Sequence, residues 1–184
     1  MLYVGSKLLA KNSNIQVVNL IPTNLYGKYD NYNIFKSHVI PGLIHKTFIA
    51  KFNIGENSIG NIYSKLIIKG SGNSKRQFLY VDDFAKIIIH FVNCTLPKQC
   101  CSLIVSPPSS QEIYIKQLVD LITKEYNYKG KIIYDTKYSD GQYIKTTCSS
   151  EILEYIPNFI FTSLETGLKE TINYFTKHYY KVRK

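Results

Sequence analysis

An apolar segment that ends at a proline constrains the fold of this chain more than any other feature. Residues 15–21 are rich in valine, leucine and isoleucine, which is typical of a buried β-strand, and Pro22 ends the run. The polar pair Thr23-Asn24 follows, and His38 lies eleven residues beyond Gly27, at the start of the next helical pattern. In open α/β sheets, ligands bind in the crevice outside the carboxyl ends of the strands. This order of residues predicts part of a ligand-binding site after the strand.

Helix-like and strand-like segments alternate along the chain. Apolar residues at helical spacing predict helices, and short apolar runs bounded by turn residues predict strands. The predicted helices are 1–12, 38–50, Asp82 or Asp83 to Val92, 111–126 and 163–178. The predicted strands are 15–21, 66–68, 77–81, 103–105 and 131–134. We expect Ser37 and either Asp82 or Asp83 to cap helices, and 53–61 to form a loop. This alternation predicts the α/β class.

The positive charge of the chain does not indicate a nucleic-acid partner. The formal net charge is +10, but the lysines are scattered and the only arginines are Arg76 and Arg183. Proteins that bind nucleic acid usually cluster their charge and favour the arginine fork. We therefore predict no nucleic-acid partner. No apolar run approaches the ~20 residues of a membrane span, so we predict no membrane partner either. The scarcity of arginine makes Arg76 a candidate ligand for a phosphate group.

The cysteines and histidines do not form a metal-binding pattern. Four cysteines lack the spacing of a zinc site: Cys94, Cys100, Cys101 and Cys148. We predict no metal, and we interpret the cysteines as free thiols of a cytoplasmic protein. Three histidines are interpreted as surface or core-edge residues: His45, His90 and His178.

Four motifs indicate a family. They are Ile21-Pro22-Thr23-Asn24-Leu25-Tyr26-Gly27 with Asp30-Asn31; Ser37-His38-Val39-Ile40-Pro41-Gly42-Leu43-Ile44-His45-Lys46; Gly70-Ser71-Gly72 with Arg76-Gln77-Phe78-Leu79-Tyr80-Val81-Asp82-Asp83; and Ser139-Asp140-Gly141-Gln142. Many sugar-nucleotide epimerases and dehydratases share the first motif, whereas the second and fourth together are much more specific. In register across essentially all 184 residues, the chain resembles the C-terminal part of the GDP-L-fucose synthases, within the extended short-chain dehydrogenase/reductase superfamily.

The resemblance implies a fold and a division of the chain. We expect a single truncated unit that holds the C-terminal part of a Rossmann fold and a small α/β substrate-binding lobe. Residues 1–36 would end the Rossmann sheet, and residues 37–184 would form mostly the lobe, with elements that return to the sheet. Neither G-x-G-x-x-G nor G-x-x-G-x-x-G occurs in these residues, so we expect the N-terminal dinucleotide-binding half to be absent from them. A homodimer is expected for the full-length protein.

The resemblance also implies a reaction and residue roles. The reaction is epimerisation of GDP-4-keto-6-deoxy-D-mannose at C3 and C5, followed by reduction at C4 with NADPH to give GDP-L-fucose. His38 matches the acid that returns protons, a task suited to imidazole near neutral pH. The segment at the nicotinamide end of the cofactor is matched by Pro22, Thr23, Asn24 and Leu25, together with His38. Positions that hold the GDP-sugar are matched by Lys46, Arg76 and Asp140.

Departures from the family pattern predict that the 184 residues alone have no turnover. The glycine-rich loop is absent, no cysteine falls at the position of the catalytic base, and the Tyr-x-x-x-Lys pair of the reductase is expected just before Met1. The spacing Tyr3 to Lys7 would match only after deletion of about two helical turns, so we interpret it as coincidental. Lys69 replaces a usual aromatic residue, which either weakens stacking on the substrate or adds a phosphate contact. The alternative function is a non-catalytic remnant that binds GDP-sugars or pairs with a full-length subunit.

Overall fold

A computed structural model of the chain describes residues 2–52, 54, 65–94, 96, 100–148 and 150–184. Within these ranges the helices are α1 Leu2–Asn12, α2 Val39–Phe52, α3 Val81–Asn93, α4 Ile115–Glu125, α5 Ser150–Tyr155 and α6 Leu164–Lys177. A 3₁₀ turn covers Ser109–Gln111. The strands are β1 Val17–Pro22, β2 Asn24–Tyr26, β3 Lys65–Lys69, β4 Lys75–Arg76, β5 Phe78–Tyr80, β6 Cys100–Val105, β7 Ile113–Tyr114, β8 Lys131–Asp135 and β9 Ile144–Lys145.

Parallel strand pairs form the framework of the described chain. β1 pairs with β6, β2 with β5, and β3 with β8, each in parallel orientation. A separate ladder places β4 between antiparallel β7 and parallel β9. Parallel neighbours need crossover connections, and α2, α3 and α4 lie in such connections. The predicted α/β class is therefore confirmed.

Every helix and strand predicted from periodicity is present, although the ends differ by a few residues. The largest difference is in the helix predicted at 111–126, which begins at Ile115. The backbone N–H groups of Ile115 and Lys116 donate to the carbonyls of Ser74 (3.0 Å) and Gly72 (2.9 Å). These bonds satisfy N–H groups that a helix start leaves without partners. The turn some forty residues upstream and a local bond, from the N–H of Tyr114 to Gln117 Oε1 at 3.0 Å, together fix where α4 begins.

The predicted cap of α2 is wrong. The helix begins at Val39, and the carbonyl of His38, not of Ser37, accepts its first hydrogen bond, from the N–H of Gly42 at 3.0 Å. Ser37 instead lies over the first turn, with its Oγ 2.6 Å from where a β-carbon on Gly42 would be. His38 is thus held at the boundary between loop and helix.

The predicted cap of α3 is also wrong. The helix begins at Val81, with Tyr80 before it, so Asp82 and Asp83 lie in the first turn. Asp83 is only 1% exposed, and it accepts hydrogen bonds from the N–H and hydroxyl groups of Thr162 at 2.7 and 2.8 Å. This carboxylate holds a distant segment against the start of α3, and its Oδ1 also lies 3.4 Å from Lys86 Nζ one turn further along the helix.

The short elements escape the sequence patterns. Five elements were not predicted, and each contains six residues or fewer: α5, β2, β4, β7 and β9. The loop predicted at 53–61 lies outside the described residues except for Ile54.

Two clusters of buried side chains form the described core. The larger surrounds Phe175, which is fully buried and contacts four other rings: Tyr32, His45, Phe48 and Tyr179. The smaller lies between α3, β6 and α5, and includes Ile87, Val105 and Ile152. The interpretation of His45 as a surface or core-edge residue is wrong, because the side chain is 5% exposed.

Replacing Gly167 by alanine is expected to destabilise the protein by about 2 kcal/mol, because the core there has no room for a methyl group. A β-carbon at Gly167 would lie 2.1 Å from the hydroxyl oxygen of buried Tyr26 and 2.9 Å from its Cζ. Gly5 is the matched control, since it also lies in a helix but has nothing within 4 Å of its β-carbon position. Gly5→Ala is expected to be neutral or slightly stabilising. Equal urea midpoints for the two variants would contradict the packing.

Candidate functional site

Five of the predicted site residues meet at one cavity. This cavity of about 330 Å³, here called the cationic cavity, lies between the start of α2, the end of β3 and the turn that follows it. Its walls include the predicted residues His38, Lys46, Lys69, Arg76 and Asp140. The start of α2 also contributes backbone, and the positive end of a helix favours anions. The cavity is therefore suited to a negatively charged ligand.

The cationic side chains of this cavity have no ion-pair partner in the described part of the chain. Within the described residues, no carboxylate forms an ion pair with Lys46, Lys69 or Arg76. Partial burial and the charge of Lys69 lower the pKa of Lys46. Both effects disfavour the ammonium form in the free protein, and a bound anion would relieve them. Arg76 Nη1 donates to the Lys75 carbonyl at 2.6 Å, which leaves other guanidinium N–H groups for a ligand.

Asp140 organises the glycine turn at the edge of the cavity. Its two carboxylate oxygens accept hydrogen bonds from the backbone N–H and the hydroxyl of Ser71, at 2.6 and 2.5 Å. These bonds lower the pKa of the Asp140 carboxyl. Gly70 has a φ of +87°, and a β-carbon there would lie 2.3 Å from the Asp140 carboxylate. The carboxylate predicted to bind the GDP-sugar is thus engaged within the protein.

His38 lies where the cationic cavity meets a second one. The second cavity, here called the strand-end cavity, has a volume of about 610 Å³ and lies outside the carboxyl end of β1, between β2 and the start of α3. Its walls include Thr23, Asn24 and Leu25, all three predicted at the nicotinamide end of a cofactor. Since His38 lines both cavities, its imidazole lies between the two predicted binding regions.

The residues after β1 fit part of a nicotinamide cofactor. The hydroxyl of Thr23 is buried and has no hydrogen-bond partner within the described residues, so it is suited to a polar ligand group. The Asn24 side chain donates to the carbonyl of Gln77 at 2.9 Å, which fixes the turn. Pro22 lines a different cavity, of about 260 Å³, together with Thr23, Asn24 and Lys145. Pro22 and His38, both predicted at the nicotinamide end of the cofactor, therefore line different cavities.

Asp30, for which no role was predicted, lies within the electrostatic range of His38. Asp30 lines the strand-end cavity, and its Oδ1 accepts a hydrogen bond from the N–H of Asn31 at 2.6 Å. Partial burial raises the pKa of the Asp30 carboxyl, while that hydrogen bond and the charges of His38 and Arg183 oppose the shift. The sequence contains a signal for this residue, because Asp30-Asn31 belongs to the first family motif.

The remaining predictions concern the cysteines, a metal site, a membrane span and the spacing from Tyr3 to Lys7. None of the four cysteines forms a disulfide bond within the described residues. Within the described residues, no cluster of histidine, cysteine, aspartate or glutamate is suited to a metal ion. No helix in the described part of the chain is long and apolar enough to cross a membrane. The coincidental Tyr3–Lys7 spacing falls on α1, and the side chain of Tyr3 lies outside what the structure describes.

His45, the residue before Lys46 in α2, is buried as a neutral group. Its Nδ1 lies 2.7 Å from the carbonyl oxygen of Tyr32, which only accepts, so Nδ1 carries the proton. Its Nε2 is buried and has no hydrogen-bond partner within the described residues. Burial lowers the pKa of His45, the bond to Tyr32 opposes the shift, and the charge of Lys184 adds to it.

The buried His45 predicts a loss of stability on acidification. Above the ordinary His pKa of 6.5 both folded and unfolded states are neutral at this residue. As pH falls below that value, the unfolded state binds a proton that the folded state resists, so the unfolding free energy decreases. Urea midpoints at about pH 7.5 and 5.5 should therefore differ less in His45→Gln than in the parent. The control His90→Gln, at an exposed position, should keep the parent's difference, and a His45→Gln difference equal to the parent's would contradict the assignment.

Comparison with known proteins identifies the class. The model of the NAD dependent epimerase/dehydratase family matches residues 5–97, just over half of the chain. The chain therefore belongs to the NAD-dependent epimerase/dehydratase family.

Within that class, the chain is similar to GDP-L-fucose synthases, which confirms the resemblance seen in the sequence. The GDP-L-fucose synthase of Dictyostelium discoideum is 38% identical over 166 residues, which are 90% of this chain and 48% of that protein. The Escherichia coli GDP-L-fucose synthase is 29% identical over 165 residues, 87% of this chain and 49% of that protein. The crystal structure of a GDP-L-fucose synthetase from Naegleria fowleri bound to NADP matches with a TM-score of 0.84 and 30% identity, over 98% of this chain and 51% of that one. The chain spans about half the length of the relatives it matches.

Proposed function

We propose that this chain carries the GDP-sugar-binding part and the epimerisation acid of a GDP-L-fucose synthase. The observation that carries the proposal is the position of His38 between the cationic cavity and the strand-end cavity. One cavity is suited to a nucleotide sugar and the other to the nicotinamide end of NADPH. The similarity to GDP-L-fucose synthases supports the same pair of ligands.

The cationic cavity would hold the diphosphate of GDP-4-keto-6-deoxy-D-mannose. Arg76 supplies a planar guanidinium suited to two phosphate oxygens, and Lys46 and Lys69 supply point charges. None of the three has an ion-pair partner within the described residues, so no existing salt bridge must break when the anion binds. The sugar would then extend from the diphosphate toward His38.

His38 would act as the acid of the epimerisation. The C4 ketone acidifies the protons at C3 and C5, and inversion requires that each be returned on the opposite face. An imidazolium at the boundary of the sugar-binding cavity is suited to deliver them. When bound, NADPH supplies the hydride that reduces C4. In this chain Thr23, Asn24 and Leu25 would bind the nicotinamide end, with the unpartnered Thr23 hydroxyl as a hydrogen-bonding group.

The test is solvent deuterium incorporation by a chimeric enzyme. The half of the D. discoideum protein that this chain does not match is joined to these 184 residues. In D₂O with GDP-4-keto-6-deoxy-D-mannose, the proposal expects deuterium at C3 and C5 by NMR, and GDP-L-fucose after addition of NADPH. A chimera that folds and binds GDP but incorporates no deuterium would overturn the catalytic assignment.

A second candidate function is non-catalytic binding of GDP-sugars or pairing with a full-length subunit. The observation that favours it is the span of the match, about half of each relative. The same experiment separates the two functions, since a binding remnant would retain GDP affinity while the chimera failed to exchange protons.

A further inference from the structure

Tyr32 fastens the loop that precedes His38 to the rest of the protein. Its side chain is fully buried, its hydroxyl donates to the carbonyl of Gly27 at 2.9 Å, and its ring centre lies 4.6 Å from that of Phe175 in α6. Its carbonyl oxygen accepts the hydrogen bond from Nδ1 of His45 in α2. This residue is therefore held by the start of its own loop and by two helices.

The last residues of the chain make a further contact with Tyr32. The segment after α6, residues 178–184, is here called the C-terminal strap, and the carbonyl of Arg183 in it accepts a hydrogen bond from the Tyr32 N–H at 2.8 Å. The strap folds back on itself, since two of its N–H groups donate to the carbonyl of His178 at 2.7 and 3.0 Å. Because Tyr32 is buried, water cannot replace the Arg183 carbonyl, and loss of this acceptor would leave the N–H without a partner.

The loop also contains a backbone conformation that its own sequence does not favour. Tyr29 has a φ of +65°, in the left-handed region that residues other than glycine rarely adopt. Such a conformation persists only where the surrounding structure holds it. The Tyr29 side chain is 82% exposed, and its ring centre lies 5.0 Å from that of Tyr174 on α6. The buried contacts of Tyr32, three residues further on, are thus suited to hold the loop in place.

Asp30 connects the strap to His38 through charge. It lies in the same loop, its side chain is half-buried, and it lines the strand-end cavity together with His38. Burial raises the pKa of the Asp30 carboxyl, and the hydrogen bond from Asn31 and the charges of His38 and Arg183 oppose the shift. Opposite charges attract, so an ionised Asp30 draws His38 and Arg183 toward the same side of the loop.

We propose that the C-terminal strap positions His38 for proton transfer, with Arg183 and Tyr32 as positioning residues. The path runs from the Arg183 carbonyl to the Tyr32 N–H and then along the loop to His38, six positions later. The inference rests on the proposed function for the role of His38. It adds that the strap is required to deliver the proton but not to bind the nucleotide, because the described walls of the cationic cavity include no strap residue. Since a misplacement of ~1 Å can cost about 10²-fold in rate, a small shift of the loop would be enough.

The test compares two shortened forms of the chimeric enzyme. A chain that ends at Val182 lacks the Arg183 carbonyl, whereas the matched control, which ends at Arg183, keeps an acceptor there and loses only Lys184. Deuterium exchange at C3 and C5 should be about 10- to 100-fold slower in the Val182 form, with GDP affinity and the KM for the keto-sugar unchanged. The control should exchange at the rate of the full-length chimera. Amide hydrogen exchange at residues 28–37 should be faster in the Val182 form only.

Two point variants test the same strap if the Val182 form does not fold. Asp30→Asn and Arg183→Gln each remove one charge, and Asp30→Asn keeps an acceptor for the N–H of Asn31. Each should slow exchange about three- to tenfold, and the double variant should be no slower than the single ones, because the two groups act as one unit. The control Asp120→Asn, at an exposed position on α4, should exchange like the parent.

The outcomes separate this inference from the proposed function. Exchange in the Val182 form at the rate of the full-length chimera overturns the inference and leaves the proposed function standing. Equal losses of exchange and of GDP affinity in that form indicate a general loss of structure and overturn it as well. If the Val182 form does not fold, additive effects of Asp30→Asn and Arg183→Gln, or no effect of either, overturn it. A full-length chimera that folds but exchanges no deuterium overturns both.

Discussion

Replacing His38 by asparagine is expected to slow deuterium exchange at C3 and C5 of the keto-sugar by about 10²–10⁴-fold in the chimeric enzyme. The structure explains the size of the effect, because His38 lies between the two cavities and asparagine cannot deliver a proton near neutral pH. GDP affinity should change little, since the diphosphate is assigned to Lys46, Lys69 and Arg76. Exchange is followed by NMR in D₂O, and GDP binding by calorimetry.

The control for this prediction is His90→Asn. His90 is exposed on α3 and does not line the cationic or strand-end cavity. Its variant should exchange at the rate of the parent chimera. A His38→Asn enzyme that retains exchange within tenfold of the parent would show that another group returns the protons.

Replacing Phe175 by alanine is expected to lower the free energy of unfolding by about 3–5 kcal/mol. The ring is fully buried at the centre of the larger core cluster. It joins Tyr32, in the loop before α2, to His45 and Phe48, within α2, with ring centres 4.6, 5.3 and 5.4 Å away. Truncation would leave a cavity and remove these contacts. Urea denaturation at neutral pH measures the loss.

The control for this second prediction is Phe35→Ala. The Phe35 ring is 86% exposed, so its removal should change the unfolding free energy by less than about 0.5 kcal/mol. A Phe175→Ala variant whose stability is within 1 kcal/mol of the parent would contradict the packing of α6 against α2.

Periodicity predicted the longer helices because the apolar side chains of each lie on one face of the helix. α6 illustrates this, since Leu164, Leu168, Ile172 and Phe175 are all buried and were recognisable as one apolar face. The two-residue strands β4, β7 and β9 exist only through pairing with distant partners. No local pattern specifies such pairs, so the sequence could not show them.

Wrong interpretations arose where a local rule competed with a distant contact. An acidic residue at a helix start is commonly a cap, yet Asp83 binds Thr162, 79 residues away. A histidine within an amphipathic pattern is commonly near the surface, yet His45 packs between Phe175 and Tyr179. In both cases burial by a later segment determined the environment.

The candidate site also contains some residues that the sequence predicted and others that it did not. Family motifs predicted His38, Lys46 and Arg76 as site residues, and all three line one cavity. Asp30 lines the neighbouring cavity and was not predicted, because it lies in a loop that follows no periodic pattern. A backbone hydrogen bond joins this loop to the C-terminal strap, which is distant in sequence, so the contact became visible only in the folded chain.

The binding of GDP to the 184-residue chain tests the central claim most directly, with Arg76→Gln as the diagnostic variant and Arg183→Gln as its control. The two arginines have the same charge, but only Arg76 lines the cationic cavity. Loss of a charge-assisted hydrogen bond costs roughly 1.5–3 kcal/mol, so Arg76→Gln should weaken GDP binding about 10- to 100-fold, while Arg183→Gln binds like the parent. Equal affinity of Arg76→Gln and the parent, or no binding by the parent, would contradict a GDP-sugar site in this cavity.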